Sequence, residues 1–129
     1  MPSQPATRVL YVDYHDDSRE MLTTLLAISQ IDVTAVATAE NAVLMMQLER
    51  FDLCLLESWL PDSDGFELCR RIREGHPKTP VMFFSGAAID ADQKRGLEAG
   101  ASAYICKPDL EGLIGNITRF ASRRNSVAA

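Results

Sequence analysis

The sequence predicts an α/β fold in which helices cover both faces of a parallel sheet. Three observations lead to this prediction: short apolar runs recur along the chain, amphipathic stretches separate them, and the alternation repeats five times within 129 residues. Runs of about four apolar residues are typical of parallel strands buried on both faces. Regular alternation of strand and helix favours right-handed crossovers. A chain of this length forms one domain.

The predicted strands cover residues 8–12, 33–38, 53–57, 81–85 and 103–106. The second is identified by its β-branched residues. The other four are apolar runs that stop at Asp13, Glu57, Ser85 and Lys107. Because ligands of open α/β sheets bind at the carboxyl ends of the strands, two carboxylates, a hydroxyl and an ammonium group are expected together at one edge. Such a set suits a metal ion and a phosphoryl-type anion.

Apolar spacing and capping residues predict the helices. The first begins near Asp16 and Asp17, which supply a cap and negative charge to its N-terminus. The next three are expected at residues 38–50, 66–74 and 89–99. The last is predicted from a stripe at i, i+3, i+4 and i+7 spacing, formed by Leu110, Leu113, Ile114, Ile117 and Phe120.

Composition and charge exclude several classes of function. A net charge of −5 argues against nucleic acid or an anionic membrane as the main partner, because both require basic patches. No apolar stretch reaches the roughly 18 residues of a membrane span, and the N-terminus lacks the features of a signal peptide. Three cysteines, two of them inside apolar strands, predict reduced thiols. A cytoplasmic protein is therefore expected.

Four motifs in order resemble one family. They are the first strand with the acidic residues after it (9–17), LLESWLPDSDG at 55–65, FSGA at 84–87 and GASAYICKP at 100–108. Together they resemble the receiver domain of bacterial two-component response regulators. The resemblance implies a flavodoxin-like (βα)5 fold, a three-layer sandwich with strand order 2-1-3-4-5. It spans residues 8–123, the predicted domain, and leaves residues 1–7 and 124–129 as a disordered leader and tail.

The resemblance also implies roles for the residues at the sheet edge. In that family, two adjacent acids after the first strand and an aspartate after the third hold Mg²⁺, and this aspartate takes a phosphoryl group from a histidine kinase. Asp13 matches the first acid, and the backbone carbonyl of Trp59 matches a metal ligand. Ser85 and Lys107 match the groups that hold phosphoryl oxygens, and Tyr104 matches an aromatic switch.

Two positions depart from the family pattern. Glu57 stands at the phosphoacceptor position, and Tyr14 replaces the second acid. Mg²⁺ demands near-octahedral oxygen ligation, so a weak or absent metal site is expected, with Asp13, Glu57 and Trp59 as its remaining ligands and no other cofactor. The longer side chain also moves the nucleophilic oxygen by roughly 1–1.5 Å, and a misplacement of about 1 Å can cost about 10²-fold in rate.

These departures predict a degenerate receiver that works without phosphorylation. Glu57 would be a permanent mimic of a phosphorylated aspartate, paired with Lys107 and accepting a hydrogen bond from Ser85. The protein would then be a non-enzymatic interaction module whose partner is a histidine kinase or another signalling protein. In the family, output and homodimer contacts use the face that corresponds to residues 89–120. Gly96 on this face costs about 1 kcal/mol relative to alanine, which would ease rearrangement there.

Other interpretations of the same residues stay open. Glu57 could be a structural ion-pair partner, or the chain could be an orthodox Mg²⁺-dependent phosphoacceptor. A flavin-binding protein of the same fold and an Asp-x-Asp phosphatase are disfavoured, because Tyr14 and His15 follow Asp13 where a phosphate-binding loop or a second acid would be needed. Tyr104 is expected to pack with its hydroxyl towards solvent, with a switch role as the alternative. Trp59 is either a partly exposed contact residue or a lid over the site.

Overall fold

Five strands, each followed by a helix, make up the computed structural model, which describes residues 6–86 and 90–128. The strands are β1 Thr7–Val12, β2 Ile31–Val36, β3 Leu53–Leu56, β4 Val81–Ser85 and β5 Ala103–Cys106. The helices are α1 Asp16–Ile28, α2 Ala39–Leu48, α3 Gly65–Gly75, α4 Asp90–Glu98 and α5 Leu110–Ala128. All neighbouring strands are parallel, in the order β2-β1-β3-β4-β5, which confirms the predicted flavodoxin-like topology.

Two apolar clusters lie on opposite faces of the sheet, because successive strand residues point to opposite sides. Tyr11 belongs to the cluster under α1 and α5, and Leu10 and Val12 belong to the cluster under α2, α3 and α4. The central strands β1, β3 and β4 contribute fully buried residues to both clusters. The ends of these strands therefore have little freedom to move, and they carry the polar residues of the site.

The start of α1 differs from the sequence prediction, whereas the start of α2 agrees with it. Thr38 caps α2 by accepting a hydrogen bond from the Asn41 N–H at 3.1 Å, as expected of such a residue. At α1 the N-cap position is His15, whose side chain makes no capping hydrogen bond. Asp16 and Asp17 lie one and two residues later, in the first turn, where their charge favours the positive end of the helix dipole.

Several predicted boundaries move in the structure. The second strand was expected at residues 33–38 but covers Ile31–Val36, because Thr38 serves as the cap of α2. α5 continues to Ala128, and disorder of residues 124–129 stays a prediction. Neither glycine nor proline occurs after Gly115 to end the helix. Residues 1–5 of the predicted leader, the loop residues 87–88, the predicted helix start Ile89 and residue 129 lie outside the described residues.

The loop between β3 and α3 is fixed to the start of α2 by Asp62. The two carboxylate oxygens of Asp62 accept hydrogen bonds from the N–H groups of Ala39 and Glu40, at 2.9 and 3.0 Å. Although burial acts to raise it, the pKa of the Asp62 carboxyl lies below its usual value, because these two N–H groups favour the ionised form. The loop that follows Glu57 therefore has a fixed path across the sheet edge.

Gly65, the first residue of α3, lies directly against the end of β3. A β-carbon at this position would collide with the backbone carbonyl oxygen of Glu57 and would lie 2.9 Å from the Phe83 ring. The Gly65 N–H also donates to the Ser58 carbonyl at 2.8 Å. Only glycine permits this close approach of α3 to the strand that carries Glu57.

We predict opposite effects of the same substitution at two glycines. Gly65→Ala should lower the free energy of unfolding by about 3 kcal/mol or more, since the colliding atom belongs to the backbone and cannot rotate away. Gly115→Ala, where a β-carbon would meet nothing within 4 Å, should raise it by about 1 kcal/mol through helix propensity. Urea unfolding followed by circular dichroism measures both. Equal stability of the two variants would contradict the close approach at Gly65.

Candidate functional site

The predicted polar residues meet at the carboxyl edge of the sheet. Asp13, Glu57 and Lys107 directly follow β1, β3 and β5, and Ser85 is the last residue of β4. Backbone hydrogen bonds extend the strand pairing one step beyond the strands: the Glu57 N–H donates to Val12 O at 2.9 Å, and the Lys107 N–H donates to Ser85 O at 2.9 Å. The sheet itself thus sets the spacing of the four side chains. Their chemical roles stay predictions.

The ammonium group of Lys107 lies between two buried carboxylates. Its Nζ is 2.8 Å from Asp13 Oδ2 and 3.8 Å from Glu57 Oε1. The expected pair of Lys107 with Glu57 is present, but Asp13 is the nearer partner and the one that accepts the hydrogen bond. Two carboxylates and one ammonium group leave one net negative charge among these three residues.

Both carboxylate oxygens of Asp13 accept hydrogen bonds from the protein. Oδ2 accepts from the Tyr11 hydroxyl at 2.5 Å as well as from Lys107, and Oδ1 accepts from the His15 N–H at 2.9 Å. Burial acts to raise the pKa of the Asp13 carboxyl, but the bonds from Lys107, Tyr11 and His15 outweigh it and hold the pKa below its usual range. Burial and the neighbouring carboxylate raise the pKa of Tyr11. Asp13 is therefore ionised with both oxygens hydrogen-bonded, and Tyr11 is a neutral donor.

Glu57 is held by the residue that follows it. Its Oε2 accepts a hydrogen bond from the Ser58 N–H at 3.0 Å, and the residue as a whole is 9% exposed. The Ser58 hydroxyl lies 2.9 Å from the hydroxyl of Ser85. A hydrogen bond from Ser85 to Glu57 stays a prediction. Ser58 contacts both residues, Glu57 through its N–H and Ser85 through its hydroxyl.

Tyr104 is partly buried, and its hydroxyl lies near the serines Ser85 and Ser58. The ring stacks on Phe83, with centroids 5.4 Å apart and an angle of 18° between the planes. Burial raises the pKa of the Tyr104 hydroxyl, and the bonds to the two serines oppose part of the rise.

Gly96 of α4 explains why the ring of Tyr104 fits there. A β-carbon on Gly96 would lie 3.0 Å from Tyr104 Cδ2 and 3.1 Å from Phe83 Cδ2. The sequence suggested that Gly96 loosens this face. In the structure it makes room for an aromatic side chain, so it is a packing requirement of the site.

Three aromatic rings form the rim beside Asp13. The Tyr14 ring lies 3.7 Å from the His15 ring and 4.6 Å from the Trp59 ring, centroid to centroid. Tyr14 is 38% exposed and Trp59 is 55% exposed. Trp59 is therefore a partly exposed residue in edge-on contact with Tyr14, and its role as a contact residue or a lid stays a prediction.

The residues at this edge offer few ligands for Mg²⁺, and a weak or absent metal site stays a prediction. The available donors are the carboxylates of Asp13 and Glu57 and the carbonyl of Trp59, and an aromatic ring stands at position 14 where the family has a carboxylate. Both oxygens of Asp13 are already engaged by protein donors, whereas Mg²⁺ demands nearly octahedral oxygen ligation. Within residues 6–86 and 90–128, no group of three or more His, Cys, Asp or Glu residues is placed to hold a metal ion.

Sequence reasoning missed two residues of the site. Tyr11 had a signal, because it stands two residues before Asp13 in an apolar strand and therefore points to the same face. Ser58 had none, because its contact with Ser85 spans 27 positions and depends on the pairing of β3 with β4.

A family model for the response regulator receiver domain matches residues 9–118 of this chain. The response regulator protein PilR of Pseudomonas aeruginosa is 33% identical over 116 residues, which cover 90% of this chain and 26% of PilR. The transcriptional regulatory protein CseB of Streptomyces coelicolor is 38% identical over 102 residues, which cover 79% of this chain and 43% of CseB. The chain thus spans less than half the length of these two relatives.

Solved structures share the fold along nearly the whole chain. The BeF3-activated DrrB receiver domain has a TM-score of 0.81 and 29% sequence identity, covering 91% of this chain and 98% of that domain. A two-component response regulator from Clostridium difficile has a TM-score of 0.86 and 28% identity, covering 92% of this chain and 98% of its own. These two structures thus share the fold over more than 90% of this chain.

Removal of one hydroxyl tests the arrangement around Asp13. We expect Tyr11→Phe to lower the free energy of unfolding by about 1.5–3 kcal/mol, the usual value of a hydrogen bond to a charged group. The control is Tyr14→Phe, which removes a hydroxyl from a partly exposed ring and should change stability by less than about 0.5 kcal/mol. Urea unfolding at neutral pH measures both variants. Equal effects would show that the Tyr11–Asp13 bond contributes nothing.

Proposed function

Since this chain belongs to the family of response regulator receiver domains, we propose that it is a signalling module of a two-component system that works without phosphorylation. In this proposal Glu57 supplies permanently the negative charge that a phosphorylated aspartate supplies on demand. The module is not an enzyme, and its output is a protein–protein contact.

The position of Lys107 is the observation that carries the proposal. Its ammonium lies 3.8 Å from Glu57 and 2.8 Å from Asp13. In the family, this lysine holds a phosphoryl oxygen. Here the side chain of Glu57 brings its own charged oxygen within ion-pair distance of the same ammonium group, so that contact needs no phosphorylation.

The remaining charges at the edge disfavour a phosphoryl group. Asp13 and Glu57 outnumber Lys107 by one negative charge, and a phosphoryl donor would add more. Phosphoryl transfer depends mainly on positioning and on neutralisation of the transferred charge. Mg²⁺ would supply that neutralisation, but the oxygens of Asp13 are engaged and position 14 carries an aromatic ring.

The proposed partners are proteins. PilR is a response regulator and CseB a transcriptional regulatory protein, and this chain matches only part of each. We propose a histidine kinase or another signalling protein as partner, with output or homodimer contacts through the face of residues 89–120, which α4, β5 and α5 form. Nucleic acid is not proposed as a ligand of this domain, given its net charge of −5. No helix within the described part of the chain could cross a membrane.

One observation favours a second candidate, an orthodox phosphoacceptor with residual activity. Ser85 and Lys107, the two residues that match the phosphoryl-binding groups of the family, both lie at the sheet edge beside Glu57. The candidate requires Glu57 to act as the nucleophile, and it requires Mg²⁺.

We predict that Mg²⁺ binds weakly or not at all. Trp59 is the single tryptophan and lies at the rim beside Tyr14, so its fluorescence reports directly on the site. Titration should give no saturable change at sub-millimolar Mg²⁺. The Tyr14→Asp variant, which restores the second carboxylate, should gain such a change. Saturation in the natural protein at sub-millimolar Mg²⁺ would contradict this proposal.

Incubation with acetyl phosphate and Mg²⁺ separates the two candidate functions. We expect the mass of the natural protein to stay unchanged. Glu57→Asp returns the nucleophile to its place but leaves the metal without a carboxylate, and Tyr14→Asp does the reverse. The double variant should therefore be phosphorylated far faster than the product of the two single effects, because residues that act on one metal ion are not additive.

Each outcome of this experiment has a distinct meaning. A phosphoryl adduct on Glu57 of the natural protein would support the orthodox phosphoacceptor and overturn our proposal. If Glu57→Asp alone reached the rate of the double variant, Tyr14 would not be the residue that weakens the metal site. Glu57→Gln, which keeps the shape of the side chain but loses the charge, is the control for adducts at other residues.

A further inference from the structure

Three exposed side chains at the sheet edge, those of Tyr14, His15 and Trp59, form a surface that we call the aromatic rim. The rings of Tyr14 and Trp59 meet edge to face, with centroids 4.6 Å apart, and the His15 ring lies against Tyr14. Tryptophan is a largely buried residue on average. Exposed aromatic side chains that cluster together are typical of surfaces that bind a partner, where tryptophan and tyrosine are enriched. The aromatic rim is therefore a candidate contact surface.

The backbone under the aromatic rim is held on both sides. The His15 N–H donates to Asp13 Oδ1 at 2.9 Å, and the His15 carbonyl accepts from the Arg19 N–H at 3.1 Å. On the other side, Trp59 pairs with Asp64 in an isolated antiparallel bridge. The rings thus keep their relative positions without a partner, which lowers the entropic cost of binding one.

Acidic residues flank the aromatic rim on the α1 side. Asp16 and Asp17 directly follow His15 in the first turn of α1, and both are exposed. Arg19 compensates one of these charges, because it pairs with Asp16 while it donates to the Asp13 carbonyl at 2.7 Å. One negative charge therefore remains in excess beside the rings.

A second excess negative charge lies at the sheet edge itself. Asp13 and Glu57 share the ammonium group of Lys107, so two carboxylates stand against one cation. The basic side chains at this edge, Arg19 and Lys107, are engaged by protein oxygens. Local fields of this sign attract a cationic partner and disfavour an anionic one.

We propose that the aromatic rim binds an arginine side chain of a partner protein. A guanidinium group stacks with its flat face on tryptophan or tyrosine, and its fork of N–H groups donates to carboxylates at the same time. The aromatic rim offers both kinds of partner on one surface, the rings of Tyr14 and Trp59 and the carboxylate of Asp17. A lysine ammonium suits it less well, because it is a strongly hydrated point charge without a face to stack.

This contact surface is separate from the face of residues 89–120. It lies on the segments that follow β1 and β3, whereas that face is formed by α4, β5 and α5. The inference rests on the proposed function in one respect, that the module works through protein contacts, and it adds the chemistry of one partner. It does not depend on whether Glu57 accepts a phosphoryl group.

Short peptides that differ in one side chain provide the test. The first is Gly-Arg-Gly, acetylated and amidated at its ends, and the second has citrulline in place of arginine, which keeps the shape but loses the charge. A third peptide carries lysine. NMR of the ¹⁵N-labelled full chain follows the indole N–H signal of Trp59, the single tryptophan, and the backbone amides of residues 14–17.

We expect the arginine peptide to shift the Trp59 indole signal and the amide signals of residues 14–17. At equal concentration, the citrulline peptide should give shifts smaller by about fivefold or more, since it lacks the cation that the rings and carboxylates attract. The lysine peptide should lie between the two.

Substitutions in the aromatic rim separate the contribution of the rings from that of charge. Trp59→Leu should weaken binding of the arginine peptide about two- to fivefold, followed on residues 14–17, whereas Trp59→Phe should keep most of it. Asp17→Asn should weaken it about twofold or more. Glu74→Gln is the matched control, because it removes one exposed carboxylate at the far end of α3 and should leave binding unchanged.

Three results would overturn the inference. One is the absence of a shift with the arginine peptide, or equal shifts with the arginine and citrulline peptides. Another is equal binding by Trp59→Leu and the natural protein. The third is a Trp59 signal that moves on dilution of the protein alone, which would assign the aromatic rim to a second copy of this chain. The measurement uses neither phosphodonor nor metal, so its outcome is independent of the acetyl phosphate experiment.

Discussion

The ion pair of Lys107 with Asp13 joins residues 94 positions apart and anchors the whole sheet edge. A buried carboxylate needs a charged or strongly donating partner, because its desolvation costs several kcal/mol. Asp13 is completely buried, and Glu57 is nearly so. The ammonium group of Lys107 is the charged partner of both carboxylates. Removal of one partner from a buried ion pair typically costs about 3–5 kcal/mol of stability. The positions of Tyr11 and His15 follow from the same need, since each donates to Asp13.

The order of the strands allows Lys107 to pair with both carboxylates. β3 lies between β1 and β4, so Glu57 stands beside Asp13, and the side chain of Lys107 reaches back across the edge from β5. Ser85 and Ser58 then fill the interval between Glu57 and Tyr104. Charge dominates one half of the edge, and neutral hydroxyls dominate the other. Glu57 lies at the boundary between the two halves. Its Oε1 is near the Lys107 ammonium group, and its Oε2 accepts a hydrogen bond from the Ser58 N–H.

Much of this arrangement could be predicted from the sequence, and particular residues show what could not be predicted. The strands at 81–85 and 103–106 were predicted at their observed bounds, because apolar runs and their polar ends are local features. The space for the Tyr104 ring could not be predicted, because it depends on Gly96, which belongs to another element. Ser58 was missed for the same reason. Sequence patterns indicate which face a residue occupies, but they do not specify which distant side chain completes its hydrogen bonds.

The bond from Asp62 to the start of α2 has a consequence for how the molecule opens. The N–H groups of Ala39 and Glu40 are held by a carboxylate from the β3–α3 loop, not by a residue of their own helix. When that loop detaches, the first turn of α2 loses two of its hydrogen bonds at once. Loop and helix end therefore form one cooperative unit, of the kind that native-state hydrogen exchange resolves as a single opening event. The segment that carries Ser58 and Trp59 is thus connected through Asp62 to the opening of the first turn of α2.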